Sequence, residues 1–482
     1  MIEKFLKVSV GPATIIWIAL IALLPVTSTP VVAHLLGSST VASPSIILLA
    51  LFIFLWLVPA LLTGHKLSQA SLVLLILFCF AAGLSLIMNA NAILSYKTTT
   101  PLRAQIEAIA TLLIGIGFFL STAAFATDPD KRRLTLSVIN FSGLIVLLWC
   151  FLQAYFWFRY QRYPEWLRSL QELISIGPLF RGRVTGFALE PSWLAHQLNM
   201  LYLPIWLAAS VTGYSSHRKF GKRLSFEMIL LVLGVVTLIM TMSRAGYLAF
   251  LLMSGFIFVL LIRWLSEKVK KFVKPERQRA AGFLTSFALT VGGIVAVIGF
   301  LYVVSRVDPR MADLFKFDPD AANPILDYAN ALLFSSRVVY WQAGWRIFDL
   351  HPWMGVGIGM AGFYMPEMLS GYATRLVEVQ TLLYHSNTLL NIKSLWVRLL
   401  AETGIAGFSL FVTWLILIAR QAWRLLKALD SQSRMIGLAG IFVLLALITE
   451  GFSIDSFAIP YLWVSLGLVT ATSMSGQSAS SR

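Results

Sequence analysis

Charged residues are scarce in this sequence. Only 12% of its 482 residues are Asp, Glu, Lys or Arg, whereas 58% are apolar, and soluble domains carry roughly twice that charged fraction. Cysteine is almost absent as well, since only Cys79 and Cys150 occur, in different apolar runs. This excludes a disulfide framework and a CxxC metal pair. The composition therefore favours a protein that crosses a membrane several times.

Long apolar runs fill most of the chain. A helix that crosses a membrane needs about twenty mostly apolar residues. The sequence predicts an all-α polytopic membrane protein with about twelve transmembrane helices, near residues 11–28, 44–63, 70–89, 106–126, 134–157, 188–212, 226–242, 245–264, 281–304, 399–420, 435–453 and 458–474. Residues 1–304 would hold helices one to nine, 305–397 a large, partly helical extracytoplasmic loop, and 398–482 helices ten to twelve and a cytoplasmic tail.

The charges are distributed unevenly between the two predicted sides. Twelve spans put both termini on one side, and that side carries 22 of the 38 basic residues but seven of the 22 acidic residues, a net charge of +15. The opposite side has a net charge of +2, and Glu450 lies inside a predicted span. Because cytoplasmic loops are enriched in Lys and Arg, both termini are predicted to be cytoplasmic and the large loop external. Orientation explains the basic runs, so nucleic acid is not an expected partner.

The longest interruption of the apolar pattern is the polar stretch 302–398. It contains aromatic and glycine-rich segments at 338–350 and 351–364, and a disordered region would lack such aromatic residues. No predicted strand precedes these glycines, as a nucleotide-binding loop would require, so they are predicted to form tight turns. Because long loops in compact proteins are usually functional, we expect this stretch to fold onto the membrane helices as half of an active site.

Three arginines stand near predicted external ends of spans. Arg183 and Glu190 lie at the mouth of the sixth span. Arg244 occupies the turn between two spans, and Arg337 begins a helical pattern in the polar stretch. An interfacial arginine can simply meet lipid phosphates, but ionisable residues near spans are usually functional. Several guanidinium groups suit a pyrophosphate headgroup, since arginine binds phosphate as a bidentate fork.

No metal and no cofactor are predicted. The first external loop, residues 28–43, contains no acidic residue, and Asp318 and Asp320 fall in a sequence, DPDAANP, that is typical of a turn. Transfer from a phosphate ester would need charge stabilisation and a base for the attacking hydroxyl, without requiring a metal. Arg398 and Glu402 are four residues apart and share a helix face. They form either a structural salt bridge or part of the site.

The order of these segments resembles the bacterial O-antigen ligase and polymerase superfamily of membrane glycosyltransferases. Five motifs between residues 181 and 420 carry the resemblance: R-x-T-G-F with E-P-S, S-R-A-G, R-x-x-x-W, H-P-x-x-G-x-G and L-L-A-E-T-G-I-x-G. Each motif is weak by itself. Their common order, in a chain with one large external loop before the tenth span, makes the resemblance fairly specific. The first 180 residues match in hydropathy only.

The resemblance implies a substrate and a set of roles. The substrate is a glycan carried on undecaprenyl diphosphate, which is transferred to a hydroxyl with inversion and without a metal. By position, Arg244 and Arg337 would hold the diphosphate and Arg183 would line the same cavity. The implied partners are the lipid-linked glycan, a glycan or lipid acceptor and the lipids of a bacterial inner membrane. A chain-length regulator is a further candidate partner.

The histidine that this resemblance implies is displaced. Ligases typically carry His-Asn shortly before the glutamate of the A-E-T-G segment, but here Lys393 stands near that place, and His385 lies 17 residues before Glu402. Either the loop has an insertion and His385 is the base, or this branch lacks the histidine. Glu190 is the rival base. Supporting roles are expected for Asn387, Lys393, Arg398 and Glu402.

The E-P-S signature is more similar to the polymerase branch than to the ligases. The predicted function is therefore polymerisation of lipid-linked repeat units into O-antigen or exopolysaccharide. The alternative is an O-antigen ligase that transfers the glycan to lipid A-core or another acceptor. A lipid-linked glycan flippase would bind the same diphosphate without chemistry, but such carriers usually show internal repeats, and the sequence has none.

Overall fold

The computed structural model describes residues 2–36, 42–89, 96–217, 224–308, 311, 313, 316–320, 324–332 and 334–480. Within these ranges the secondary structure is helical, apart from two isolated β-bridges. The helices, in chain order, are α1 (Ile2–Ala22), α2 (Pro30–Leu36), α3 (Pro44–Leu62), α4 (Gln69–Met88), α5 (Pro101–Phe125), α6 (Pro129–Tyr160), α7 (Glu165–Ile174), α8 (Pro191–Gln197), α9 (Leu203–Thr212), α10 (Phe226–Thr241), α11 (Arg244–Lys270), α12 (Gln278–Val307), α13 (Pro324–Ala331), α14 (Ser335–Leu350), α15 (Ala361–Met368), α16 (Val377–Tyr384), α17 (Leu395–Leu425), α18 (Ser431–Glu450) and α19 (Pro460–Ser480). A π-helical stretch, Leu198–Tyr202, joins α8 to α9.

Eight helices in the described ranges are long and apolar enough to cross a membrane, namely α3, α4, α5, α6, α11, α12, α17 and α18. They lie at eight of the twelve predicted spans. The other four predicted spans fall on α1, on α8 with α9, on α10 and on α19, which do not meet the same test of length and composition. The described residues thus confirm the all-helical class with eight candidate spans, and the count of twelve spans stays a prediction.

Polar caps and prolines determine where many helices begin. Side chains at the start of α5, α10, α11, α17 and α18 accept hydrogen bonds from backbone N–H groups in the first turn; they belong to Thr100, Ser225, Ser243, Ser394 and Asp430. Each cap satisfies a donor that has no partner within the helix. Proline occupies the first turn of α3, α5, α6 and α8, where its missing N–H is not needed. Ser243 and Ser394 start two helices that carry predicted site residues.

The last three helices form the centre of the bundle. α19 packs along α5, α17 contacts both α4 and α18, and α18 also contacts α9 and α11. Small residues allow these helices to approach closely, as is usual in membranes. A Cβ on Gly115, for example, would lie 2.3 Å from the indole nitrogen of Trp463. By contrast, α12 packs chiefly on α11 and leaves most of its apolar side chains exposed, as expected of a helix that faces lipid.

Within the polar stretch, the described residues include the helices α13 to α16. Helices α14, α15 and α16 share a separate small core, whose members include Val339, Tyr340, Ala343, Ile347, Met360, Phe363 and Val379. This core also contains Val397 and Ala401, because α14 packs on the first turns of α17. The polar stretch is thus attached to the helix bundle through α17. Its position outside the membrane stays a prediction.

Two of the sequence motifs pair at a break in α17. The helical backbone is interrupted at Gly404, which has φ 61° and ψ −167°. Four backbone hydrogen bonds of 2.9–3.2 Å join the segment 352–357 to the segment 401–406: Ile405 to Pro352, Ala406 to Trp353, Val356 to Ala401 and Gly357 to Glu402. The predicted tight turn is present at Gly355, where φ is 67° and a Cβ would lie 2.4 Å from the carbonyl carbon of Glu402. The H-P-x-x-G-x-G and A-E-T-G motifs therefore form one interlocked unit.

Candidate active site

The turn between α10 and α11 brings two of the predicted arginines together. Met242 adopts a left-handed conformation (φ 50°) that ends α10, and Ser243 caps α11. Arg183 reaches this turn from the loop before α8: its Nε donates to the carbonyl of Thr241 at 2.9 Å, and its Nη2 to that of Met242 at 3.5 Å. Arg244 is the first residue of α11, so both arginines belong to the same turn.

Arg244 connects this turn to the polar stretch. Its guanidinium donates a hydrogen bond to the carbonyl of Leu332. Arg337 lies in the first turn of α14, where its backbone N–H donates to the carbonyl of Phe334 at 3.1 Å. Contacts therefore run from Arg183 through Arg244 to the chain segment that leads into Arg337. Arg183 and Arg244 thus share one turn, and Arg244 contacts the chain five residues before Arg337.

The segment after α18, here named the outer turn 451–455, contacts two of the predicted residues. Arg337 Nη1 lies 3.2 Å from the hydroxyl of Ser453, and Arg398 donates to the carbonyl of Asp455. Arg398 also forms the predicted pair with Glu402, with 2.9 Å between Nε and Oε2. The side chains of this pair are only 18% and 5% exposed. The pair therefore joins the start of α17 to the outer turn.

Lys393, predicted to support the site, pairs with a carboxylate that the sequence analysis did not single out. Its Nζ lies 2.6 Å from Oε1 of Glu378 and 5.5 Å from the centre of the Tyr340 ring. Burial alone would raise the pKa of Glu378. Hydrogen bonds from Lys393 and Ser336, and the positive charges of Lys393 and Arg337, instead hold this pKa below its ordinary value. Glu378 is thus an ionised neighbour of the arginine region at neutral pH.

A buried polar cluster at the end of α18 was not assigned from the sequence. Glu450 is fully buried, and its Oε2 lies 2.6 Å from Nδ1 of His196. Its Oε1 accepts a hydrogen bond of 2.8 Å from Nδ2 of Asn199, which also donates to the carbonyl of Gly246 at 3.0 Å. The only signal in the sequence was an acidic residue inside an apolar run. Its partners are 254 and 251 residues away, so local patterns do not reveal them.

His385 and Asn387 lie at the edge of the polar stretch, and both are exposed. Lys97, in the loop before α5, holds this segment through a 2.6 Å hydrogen bond from its Nζ to the carbonyl of Ser386. His385 follows the last residue of α16, whereas Glu378 lies in its first turn. At 1.5 Å per residue the two are roughly 10 Å apart along the helix axis. His385 is therefore not in direct contact with the carboxylate beside Arg337.

Glu190, the other candidate base, is exposed just before Pro191 at the start of α8. Its Oε1 accepts a 2.6 Å hydrogen bond from the hydroxyl of Ser192. The loop that carries both Glu190 and Arg183 is fixed by Gln153, whose side-chain oxygen accepts hydrogen bonds of 3.0 and 3.2 Å from the backbone of residues 185 and 186.

In the described ranges, no three His, Cys, Asp or Glu side chains are grouped to hold a metal ion. The metal independence of the reaction stays a prediction.

A family comparison covers the second half of this site. Residues 229–412 match the family described as O-antigen ligase, a segment that includes Arg244, Arg337, His385, Arg398 and Glu402. No curated protein matches the chain. The match supports a ligase- or polymerase-like function in polysaccharide biosynthesis and, in general terms, a glycosyltransferase-like activity. Residues 229–412 thus match the O-antigen ligase family, and this match supports the resemblance of the chain to the O-antigen ligase/polymerase superfamily.

Proposed function

We propose that this protein is a metal-independent, inverting glycosyltransferase that polymerises undecaprenyl-diphosphate-linked repeat units into O-antigen or exopolysaccharide. One observation carries the proposal: Arg183 and Arg244 share the turn 241–244, and Arg244 contacts the carbonyl of Leu332, five residues before Arg337. Guanidinium groups bind phosphate oxygens in bidentate pairs. Three of them in one region suit the charge of a lipid-linked diphosphate.

The proposed arrangement in the membrane has twelve spans, with both termini in the cytoplasm and residues 305–397 on the outer side of the bacterial inner membrane. The charge difference of +15 against +2 between the two sides supports this orientation. With it, the arginine region, the outer turn 451–455 and the polar stretch share the outer face. The lipid-linked glycan would enter the site from the outer leaflet, and the acceptor from outside the cell membrane.

Diphosphate binding by the arginines would prepare the leaving group. In the transfer step, the oxygen of the acceptor hydroxyl forms a bond to the anomeric carbon, while the bond from that carbon to the phosphate oxygen breaks. Undecaprenyl diphosphate leaves with the electron pair of the broken bond, and the fixed guanidinium groups stabilise the negative charge that develops on its oxygen. The proton of the acceptor hydroxyl passes to a base.

His385 is the proposed base, because an imidazole can accept a proton near neutral pH, and Glu190 is its rival. Arg337 and His385 both belong to the polar stretch, and the proposal requires the diphosphate and the anomeric carbon to bind between the guanidinium and the imidazole. The acceptor hydroxyl would then lie on the far side of the sugar from the leaving group, as inversion requires.

A ligase is the second candidate function, because the matched family is described as O-antigen ligase. The two functions differ in the acceptor, which is another lipid-linked glycan for a polymerase and a lipid A-core or other acceptor for a ligase. Purified protein incubated with a lipid-linked repeat unit, with and without a chelator and with each acceptor, distinguishes them. Long-chain glycan indicates a polymerase and singly transferred glycan a ligase. Absence of both products from correctly folded protein would refute the transferase proposal.

Alanine substitutions test the role of the arginines. Arg244→Ala and Arg337→Ala should lower turnover by about a hundredfold or more, the loss typical of removing one donor to a developing negative charge. Lysine should rescue poorly, since a point charge does not reproduce the bidentate fork. Arg346→Ala is the matched control, because Arg346 also lies in α14 but donates to the carbonyl of Met368 at 2.9 Å. Near-normal turnover in either test variant would refute the diphosphate assignment.

The identity of the base is tested separately. His385→Ala should lower turnover by about 10²- to 10⁴-fold, the usual contribution of a general base, while the lipid-linked substrate still binds. His351→Ala, a second histidine of the polar stretch that packs on Tyr364, serves as the control. Retained turnover in His385→Ala together with lost turnover in Glu190→Gln would transfer the role to Glu190. Retained turnover in both would eliminate both candidates.

A further inference from the structure

We propose that Glu450, together with His196 and Asn199, positions the arginine site, an inference that rests on the proposed function. A buried carboxylate is unfavourable unless hydrogen bonds and charges compensate for the lost water. Here Oε2 of Glu450 lies 2.6 Å from His196 Nδ1, and Oε1 lies 2.8 Å from Asn199 Nδ2. These two short contacts fix both oxygens of the carboxylate and therefore the last residue of α18.

The cluster joins three elements that carry parts of the site. His196 lies in α8, which begins directly after Glu190, and Asn199 lies in the π-helical stretch that follows. Asn199 Nδ2 also donates to the carbonyl of Gly246 at 3.0 Å, two residues after Arg244 in α11. The cluster therefore fixes the end of α18 relative to the start of α11 and to α8.

Glu450 also shapes the outer turn 451–455 through its own backbone. Its carbonyl accepts hydrogen bonds from the N–H groups of Ser453 at 2.8 Å and Ile454 at 3.0 Å. The hydroxyl of Ser453 is the contact of Arg337 Nη1, and the carbonyl of Asp455 is a contact of Arg398. A shift at Glu450 would therefore move the groups that hold two guanidinium groups of the site. This makes the cluster a set of positioning residues that do not themselves touch the substrate.

Glu227 is a matched control for this inference. It is 1% exposed, and its carboxylate accepts hydrogen bonds from Asn140 at 3.0 Å and from Ser215 at 2.7 Å. It lies in the first turn of α10, at the opposite end of that helix from the turn that precedes Arg244. Loss of either glutamate should therefore destabilise the bundle, but only loss of Glu450 should disturb the arginine site.

The test uses the full-length protein in detergent and farnesyl diphosphate as a soluble isoprenyl diphosphate probe. Glu450→Ala should weaken binding of the probe by about tenfold or more, the loss expected when a charge-assisted hydrogen bond is no longer made. Glu450→Gln should bind within about threefold of the wild type, because an amide keeps the bond to Asn199 and can donate to a neutral imidazole. Glu227→Ala should bind like the wild type although it unfolds more readily. If Glu450→Ala does not fold, Asn199→Ala carries the same expectation.

A double-mutant cycle adds a measurement that a purely structural role would leave unchanged. The effects of Glu450→Ala and Arg337→Ala on probe binding should be less than additive. If Glu450→Ala already displaces Arg337 from the probe, removing the guanidinium costs little further affinity. Those of Glu227→Ala and Arg337→Ala should add. Three results would each overturn the positioning role: wild-type affinity in Glu450→Ala, loss of binding in Glu450→Gln, or additive effects of Glu450→Ala and Arg337→Ala. The proposed function would still stand if the wild-type protein turns over its substrate. A wild-type protein without turnover and without probe binding would overturn both.

Discussion

The break in α17 at Gly404 predicts a large effect of a single methyl group. Gly404 has φ 61° and ψ −167°, a region that is essentially restricted to glycine. A Cβ there would lie 2.4 Å from the carbonyl carbon and oxygen of Trp353. We expect Gly404→Ala to destabilise the protein and to lower its turnover, because Glu402, two residues earlier, pairs with Arg398 at the arginine site.

The magnitude follows from the two ways in which the variant can respond. If the backbone keeps its conformation, the alanine adds strain of about 1–3 kcal/mol and must also displace the segment 352–357. If α17 instead closes into a regular helix, two helical hydrogen bonds replace the four that join segments 352–357 and 401–406. A net loss of two bonds at about 1 kcal/mol each gives about 2 kcal/mol, before any lost packing. The first route lowers the free energy of unfolding by about 1–3 kcal/mol in addition to the displacement, and the second lowers it by about 2 kcal/mol or more.

The assay compares three glycine variants in mixed micelles, with the free energy of unfolding and the turnover measured on each. Gly213→Ala is the control for backbone conformation, since Gly213 has φ 68° but no atom within 4 Å of its Cβ position; it should lose only about 1–2 kcal/mol and keep full turnover. Gly255→Ala, in the helical middle of α11 with equally open space, should be neutral or stabilising by up to about 1 kcal/mol. If Gly404→Ala matches Gly255→Ala in stability and turnover, the pairing of segments 352–357 and 401–406 neither stabilises the fold nor positions the arginine site.

The remaining predictions concern the orientation of the chain and its response to pH. In a variant without the native cysteines, an impermeant maleimide added outside should label Asp318→Cys but not Phe272→Cys, and labelling only at position 272 would reverse the proposed topology. Glu378 has a pKa below its usual 4.5 in the folded protein, so its pairing with Lys393 contributes stability that is complete above about pH 4.5 and is lost as the pH falls through the lowered pKa. The protection factors of the amides in α16, in which the intrinsic pH dependence of exchange is removed, should therefore fall below pH 4.5 in the wild type, and this fall should be absent from Glu378→Gln; equal profiles in the two proteins would contradict the pairing.

Much of the site could be predicted from the sequence because charge is so rare in this chain. In a protein with 12% charged residues, an arginine beside a long apolar run has few structural explanations, and Arg183, Arg244 and Arg337 were identified on that basis. The contact chain that brings them together was not predictable, since it depends on backbone carbonyls of residues 241, 242 and 332. Any residue type can supply a carbonyl, so these partners leave no trace in the sequence.

The candidate bases could be chosen from the sequence only by residue type, and their surroundings could not be predicted. His385 and Glu190 were chosen for their chemical type and their place outside the spans, and the structure shows both of them exposed. Glu378, which lies beside Arg337 and Lys393, has no distinguishing pattern around it in the sequence. Its proximity to them arises only when α16 folds back toward α14 and the start of α17.

By itself, the sequence determined the all-helical class, the approximate places of the long apolar helices, and the residues that could carry charge at the membrane surface. These properties are local: hydropathy acts over one helix length, and a cap acts within one turn. The glycines of the two interlocked motifs also had to adopt special conformations, but the sequence could not show that they face each other. Only the tertiary structure decided which distant residues meet, as with His196 and Glu450, which are 254 residues apart. A buried carboxylate requires a partner, and only the tertiary position of His196 next to the end of α18 decides which side chain that partner is.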